Sequence, residues 1–167
     1  MSCALARGVT MPRQVRAGRT YFVSRRTVGR FWLFRPDASG VMAAIVRYLL
    51  ALACAAYGVQ LHVAELMSTH IHLVVTDVRG NLPDFLQWFH RMVALATRCH
   101  RGWGEEVFNK SQTSVVELPT AAAAIEEMAY TIVNSVAASA VRYARDWPGL
   151  GVRVQDIGFG TLGADRP

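Results

Sequence analysis

Residues 61–66 (Leu-His-Val-Ala-Glu-Leu) and 71–76 (Ile-His-Leu-Val-Val-Thr) are two aliphatic, β-branched runs joined through the short polar connection 67–69. Such runs are typical of β-strands, and the short connection predicts a hairpin. His70 and His72 lie two residues apart at the start of the second run. Alternate side chains of a strand point to the same face. The sequence therefore predicts two adjacent imidazoles on one face of a β-sheet.

The segments before and after this hairpin predict further elements. The β-prone run 20–24 predicts the first strand, followed by a basic turn over 25–30. Residues 31–34 are aromatic and predict either a short strand or a capping segment. Helical periodicity over 41–57 predicts the first helix, which ends at a glycine. After the hairpin, Asn81 is expected to cap a second helix that runs to about His100.

The C-terminal half predicts one more strand and one more helix. Residues 107–116 are expected to form a turn and the fourth strand. The third helix opens at Pro119 or Thr120 and is predicted to continue towards Tyr143. The first six elements follow the strand, helix, strand, strand, helix, strand order of a split βαβ, ferredoxin-like α+β fold. Its helices should cover one face of an antiparallel sheet and leave the other face open.

Composition indicates a folded protein with a basic surface. The 167 residues are 52% hydrophobic and carry a formal charge of +6, and arginine supplies all of the positive side chains except Lys110. The planar guanidinium suits phosphate recognition, so a nucleic-acid partner is expected. Three widely spaced cysteines argue against a disulfide framework and favour a cytoplasmic setting. No apolar run is long enough to span a membrane, so no membrane partner is expected.

Three segments follow from this pattern. Residues 1–18 are expected to form a flexible basic arm, 19–151 the folded domain and 152–167 a weakly structured tail. The histidine pair alone does not decide a function. Two imidazoles at this spacing can share one divalent metal. They can equally be two surface histidines without a ligand, because His-x-His is a short pattern.

Further motifs around the histidines and along the C-terminal half change that balance. An aliphatic strand follows the histidines, and the second helix ends in Thr-Arg-Cys-His-Arg-Gly at 97–102. Trp-Gly-Glu-Glu-Val-Phe-Asn-Lys-Ser follows at 103–111, Tyr-Thr-Ile-Val-Asn at 130–134 and Trp-Pro at 147–148. In this order the motifs resemble the HUH single-tyrosine transposases, in particular the REP-associated tyrosine transposases. The resemblance covers about 20–151, most of the chain.

The resemblance implies a catalytic role for Tyr130 and a metal site made by His70, His72 and Asn134. Tyr130 and Asn134 are one helical turn apart and therefore share a face of the third helix. Mg²⁺ or Mn²⁺ is the expected cofactor. The implied reaction is cleavage of single-stranded DNA and strand transfer through a 5′-phosphotyrosine intermediate, with the catalytic helix added to the ferredoxin-like domain.

Hairpin or palindromic repeat DNA is the partner that the resemblance implies, and nucleoid association would follow from it. Basic residues near the motifs are the candidate DNA contacts: Arg25, Arg26, Arg30, Arg91, Arg98, Arg101 and Lys110. Members of the family often act as dimers, which leaves a homodimer open.

Two departures from the family pattern keep other functions open. Ser68-Thr69 stands where the family has Pro-Asn, and Ser135 stands where it has a proline after the asparagine. Ala-Ala-Ser at 137–139 replaces the usual Arg-Ala-Gly. A domesticated DNA-binding module with weak or no catalysis would accept these changes. An unrelated ferredoxin-like metallohydrolase is the third hypothesis, and it predicts that activity depends on the histidines but not on Tyr130.

Overall fold

The computed structural model describes residues 15–109, 113–151 and 163–167. Four strands and three α-helices lie in the described ranges: β1 Arg19–Arg26, α1 Val41–Tyr57, β2 Val59–Met67, β3 His70–Asp77, α2 Leu82–Arg101, β4 Ser114–Leu118 and α3 Ala121–Ala137. Two 3₁₀ turns lie at Val28–Arg30 and Ala144–Asp146. Most of the predicted basic arm and most of the predicted tail fall outside the described residues.

The strands form one antiparallel sheet in the order β2-β3-β1-β4. This strand order, with α1 between β1 and β2 and α2 between β3 and β4, is the predicted ferredoxin-like arrangement, so that prediction is confirmed. Within the described ranges, no helix combines the length and the apolar character needed to cross a bilayer.

The hydrophobic core lies between the sheet and the pair α1 and α2. Ile71, Leu73 and Val75 alternate along β3 and are at most 1% exposed. Phe85 and Phe89 of α2 pack in the same cluster, with ring centroids 5.8 Å apart. Burial of such side chains contributes about 1.5–3 kcal/mol each. The alternation that buries these residues turns His70 and His72 to the other face of the sheet.

Helix α3 crosses that other face and contacts all four strands. Thr120 caps it, because the Thr120 hydroxyl accepts from the backbone amide of Ala123. The residues that α3 buries are polar: Thr131, Asn134 and Ser135. A helix that presents polar groups to a sheet needs partners for them there. The contact between α3 and the sheet is therefore a polar site rather than a second hydrophobic core.

Several details differ from the sequence prediction, among them the fourth strand, which continues to Leu118 and does not end at residue 116. β1 continues to Arg26, so Arg25 and Arg26 lie in a strand paired with β3 and not in a turn. The 31–34 segment forms no strand; Leu33 and Phe34 are buried in an irregular loop. α3 ends at Ala137 and does not reach Tyr143, because Ser139 adopts a left-handed backbone conformation with φ of 56°.

The start of α2 also differs from the prediction. Asn81 occupies the N-cap position, but its side chain makes no capping hydrogen bond. The buried carboxylate of Asp77 caps the helix instead, accepting from the backbone amides of Gly80, Asn81 and Leu82 at 2.8–2.9 Å. A carboxylate at this end also suits the helix dipole. Asp77 is the last residue of β3, so this cap connects the hairpin to α2.

Candidate functional site

The two histidines lie side by side on β3. Their ring centroids are 4.5 Å apart and the rings are nearly perpendicular, at 80°. His72 is paired with Glu65 of β2 on one side and with Ser24 of β1 on the other. His72 is 6% exposed, whereas His70 is only partly buried. The pair therefore forms the floor of a site near the middle of the sheet.

Both imidazoles are neutral near neutral pH. Burial lowers the pKa of His70 to about 4, and the charges of Arg26 and Arg30 lower it further. Burial lowers the pKa of His72 to about 3, with contributions from His70 and Arg26. A neutral imidazole has a lone pair for a metal or for a hydrogen bond.

Helix α3 brings Tyr130 and Asn134 over the histidines. The Tyr130 ring lies edge-on to His72, with centroids 6.1 Å apart, and is 50% exposed. Asn134 is 7% exposed, and its side chain is hydrogen-bonded to His70. The four residues proposed from the sequence, two on α3 and two on β3, therefore lie together within one chain.

A cavity of about 430 Å³ opens beside this group. Phe22 of β1 forms one wall and stacks on His72, with ring centroids 5.2 Å apart at an angle of 16°. Phe22 also meets Tyr130 edge-on, at 6.4 Å. The remaining lining residues are mostly polar: Ser24, Arg25, Arg26, Asn109 and Ser114. The cavity thus combines an aromatic wall with guanidinium groups beside the tyrosine.

Glu65 is a member of the site that sequence reasoning missed. It is 3% exposed, and its Oε1 accepts a hydrogen bond of 3.3 Å from the backbone amide of Ser135 in α3. Burial raises the pKa of the Glu65 carboxyl to about 7, although the hydrogen bond from the Ser135 backbone amide acts in the opposite direction. Its other oxygen, Oε2, has no hydrogen-bond partner within the described part of the chain.

The hairpin register explains why Glu65 was missed. The turn consists of Ser68 and Thr69 alone, because Met67 is paired with His70. The expected connection 67–69 is one residue longer, and a shift of one residue moves every side chain to the opposite face. If a two-residue turn at 68–69 had been predicted, the register would have paired Glu65 with His72.

The residues present fit a divalent metal. Nδ1 of His72 is buried and has no hydrogen-bond partner among the described residues. His70 Nδ1 is 3.0 Å from the Thr69 hydroxyl, which orients that ring. In the described ranges, no cluster of three or more His, Cys, Asp or Glu side chains could hold a metal. A site here would therefore take the two imidazoles with the amide oxygen of Asn134 as the third protein ligand.

The candidate DNA-contacting arginines fall into three groups. Arg26 and Arg30 are exposed and lie near the histidines, since their charges lower the pKa of His70. The guanidinium of Arg25 lies over the Phe108 ring, with its central carbon 4.8 Å from the ring centroid. Arg91 and Arg98 are exposed on α2 and line a different cavity.

One further basic candidate, Arg101, is not brought to the site. Arg101 donates to the backbone carbonyls of Leu33 and Arg35 and lies 3.6 Å from the carboxylate of Asp37. These contacts hold the 33–37 loop against α2. Lys110 lies outside the described residues.

Comparisons with known proteins bear on the fold. No family model and no curated protein matches the chain. Among solved structures, the chain is similar to a REP-associated tyrosine transposase bound to a REP hairpin, with a TM-score of 0.70 and 13% identity over 89% of this chain and 84% of that one. A transposase candidate from Deinococcus radiodurans R1 gives a TM-score of 0.48 and 16% identity, over 75% of this chain and 97% of that one. The resemblance seen in the sequence is therefore confirmed at the level of the fold.

Proposed function

We propose that this protein cleaves one strand of DNA and rejoins it to another strand, with Tyr130 as the nucleophile. The single observation that carries the proposal is the convergence of Tyr130 and Asn134 of α3 on His70 and His72 of β3. The Tyr130 ring is 6.1 Å from His72, and both line a cavity that also holds Arg26.

The cavity suits a single strand with an exposed phosphate. Arg26 and Arg30 supply positive charge beside the histidines, and Phe22 offers a ring on which a base can stack. Tyr130 is half exposed, so its hydroxyl is accessible to a phosphodiester that enters from solvent. Double-stranded DNA presents no unstacked base to such a wall, which favours a single-stranded segment as the substrate.

Cleavage would proceed by direct attack of Tyr130 on the phosphorus. A bond forms between the tyrosine oxygen and phosphorus, and the bond from phosphorus to the 3′ oxygen breaks. The phenolic proton leaves to water, and the departing 3′ oxygen takes a proton from water. The products are a 5′-phosphotyrosine link and a free 3′ hydroxyl. Attack by another strand's 3′ hydroxyl reverses these bond changes, so rejoining needs no external energy source.

A divalent metal, Mg²⁺ or Mn²⁺, is part of the proposal. Bound by His70, His72 and Asn134, it would supply Lewis-acid stabilisation of charge on the scissile phosphate. Burial keeps both imidazoles neutral, as metal ligation requires. The hydrogen bond between Asn134 and His70 keeps the amide beside the two rings. A hairpin or palindromic repeat is proposed as the DNA element, by analogy with the hairpin-bound structure of similar fold.

A covalent-adduct assay tests the proposal. Full-length protein is incubated with Mn²⁺ and labelled hairpin oligonucleotides that carry single-stranded flanks, and adducts are resolved on a denaturing gel. The wild type and Tyr143→Phe should form an adduct, and Tyr130→Phe should form none. Tyr143 is a matched control because its exposed fraction, 46%, is similar to the 50% of Tyr130, and because it lies outside the site. Peptide mass spectrometry should locate the nucleotide on Tyr130.

Two outcomes would contradict this function. Absence of any adduct with the wild type across hairpins and metals would favour a DNA-binding module without catalysis. Strand cleavage that persists in Tyr130→Phe but disappears in His72→Ala would instead favour a metallohydrolase.

A further inference from the structure

A second cavity, of about 630 Å³, lies on the other side of the sheet from the histidines. It is bounded by α2 and by the chain at Val107 and Phe108. Arg25 lines this cavity and also lines the cavity beside Tyr130. The two cavities therefore meet at one guanidinium at the edge of the sheet.

Part of the second cavity is apolar. Leu86, Ala94 and Leu95 of α2 and the ring of Phe108 contribute this surface. A volume of this size is within the range of small-ligand pockets, about 300–1,000 Å³. A flat apolar or aromatic ligand could bury its face against such a wall.

Two residues that line this cavity carry buried polar atoms without described partners. His90 is 6% exposed, and its Nε2 has no hydrogen-bond partner within the described residues. Nε of Arg25 is buried and likewise without a described partner. An unsatisfied buried polar atom lowers stability, so native proteins seldom keep one unless it has a role. A ligand that hydrogen-bonds to these atoms would recover that free energy.

The charges indicate what this ligand is. Arg91 and Arg98 lie along the cavity on the exposed side of α2. Arg98 donates to the backbone carbonyls of Trp103 and Gly104, so Arg91 is the arginine that can bind a phosphate. Burial lowers the pKa of His90 to about 3, so its imidazole is neutral and can pair with the edge of a base. Glu106 also lines the cavity, and its negative charge disfavours a bare phosphate ion.

We infer that this cavity binds a nucleotide of the same DNA strand that is cut at Tyr130, next to the scissile phosphate. The base would lie on the apolar wall made by Ala94 and Leu95, and its phosphate would meet Arg91. Arg25, common to both cavities, would contact the strand where it passes round the edge of the sheet. The inference rests on the proposed function for the identity of the strand, whereas the pocket and its unpartnered atoms do not depend on it.

Binding measurements without divalent metal test this inference apart from cleavage. The probes are a labelled hairpin oligonucleotide with blunt ends and the same hairpin with a random-sequence single-stranded extension on its 5′ or its 3′ side. One of the extensions should tighten binding to the full-length wild type. Arg91→Ala should reduce this gain in affinity about tenfold. It should also lower the slope of log affinity against log salt by about 0.7, the value for one phosphate contact with a single strand.

A second variant probes the pocket without altering charge. Ala94→Phe should fill the apolar wall and remove the gain while leaving the salt slope nearly unchanged. Arg47→Ala is the matched control, because Arg47 is exposed on α1, on a helix that does not line the cavity. The affinity for the blunt hairpin should be the same in all these proteins, and thermal melting should verify that each is folded.

The inference is overturned if neither extension tightens binding, or if Arg91→Ala and Ala94→Phe leave the gain intact. It is also overturned if free deoxynucleoside monophosphates compete as tightly as the extended strand, which would identify a site for a free nucleotide. Adduct formation at Tyr130 together with an inert pocket would leave the proposed function standing. A gain in affinity from the extension without any adduct would support the pocket and contradict the proposed function.

Discussion

The backbone amide of Ser135 donates a hydrogen bond of 3.3 Å to the buried carboxylate of Glu65, and this contact connects α3 directly to β2. Glu65 is also the cross-strand partner of His72. Ser135 follows Asn134, the residue whose side chain is hydrogen-bonded to His70. One carboxylate therefore lies beside the histidines and holds the backbone of the helix that covers them.

Removal of this carboxylate should loosen α3. Glu65→Ala removes the hydrogen bond that joins α3 to β2 and is expected to cost about 0.5–1.5 kcal/mol in the free energy of unfolding. Glu65→Gln retains an acceptor oxygen at the same place and should keep most of that stability. Hydrogen exchange of the α3 amides, measured alongside chemical denaturation, should show faster exchange in the alanine variant. Equal exchange in both variants would mean that α3 is held by its other contacts.

Removal of the metal should abolish the reaction but leave the fold intact. The histidines are buried and neutral without a metal, so chelation is expected to change the melting temperature little. Adduct formation should fall by at least about a hundredfold, since metal stabilisation of a transition state is worth several kcal/mol. Titration calorimetry with Mn²⁺ should show binding to the wild type and its loss in His70→Ala and His72→Ala. His62→Ala serves as the control, because His62 bonds to Thr76 at the edge of the sheet.

Phe22 should orient His72. Its ring stacks on the imidazole at 5.2 Å, and no hydrogen bond within the described chain fixes His72 Nδ1. Phe22→Ala should therefore weaken Mn²⁺ binding by about tenfold, the lower end of the effect of removing a group that supports a metal ligand. Phe31→Ala is a suitable control, since Phe31 is 50% exposed and packs on Trp103. An unchanged Mn²⁺ affinity in Phe22→Ala would restrict Phe22 to contacts with DNA.

His90 should make stability dependent on pH. Burial, and then the charge of Arg25, lowers its pKa in the folded state to about 3. The unfolded chain takes up a proton near pH 6.5, so below this pH the unfolded state binds more protons and stability falls. The loss attributable to His90 should approach about 1.4 kcal/mol for each pH unit between 6 and 4.

Comparison with a non-titrating variant isolates this effect. His90→Leu removes the titrating group from the same position. The stability of the wild type relative to His90→Leu should therefore decrease as the pH is lowered, as followed by urea denaturation. A difference that stays constant between pH 7 and pH 4 would show that His90 accepts a proton in the folded state. Such a result would also mean that the cavity on α2 is more hydrated than its burial indicates.

Much of the fold and half of the site follow from short-range periodicity in the sequence. Alternation along 70–76 determined that His70 and His72 share one face of a strand and that Ile71 faces the core. Helical spacing determined that Tyr130 and Asn134 share a face of one helix. The order of elements then predicted the ferredoxin-like sheet. These inferences hold because they depend on backbone geometry within one element, which neighbouring residues specify.

Only the tertiary structure decided how those elements meet. The two-residue turn at Ser68 and Thr69 sets the register that places Glu65 beside His72, and α3 lies over that face with its polar residues turned inward. The longer β1 sends Arg26 towards the histidines and Arg25 to the cavity behind them. Register and helix docking depend on contacts between residues far apart in the chain, whose free energies no local pattern records. For this reason the sequence determined which chemical groups the site contains, and the packing of α3 on the sheet determined that these groups form a single site.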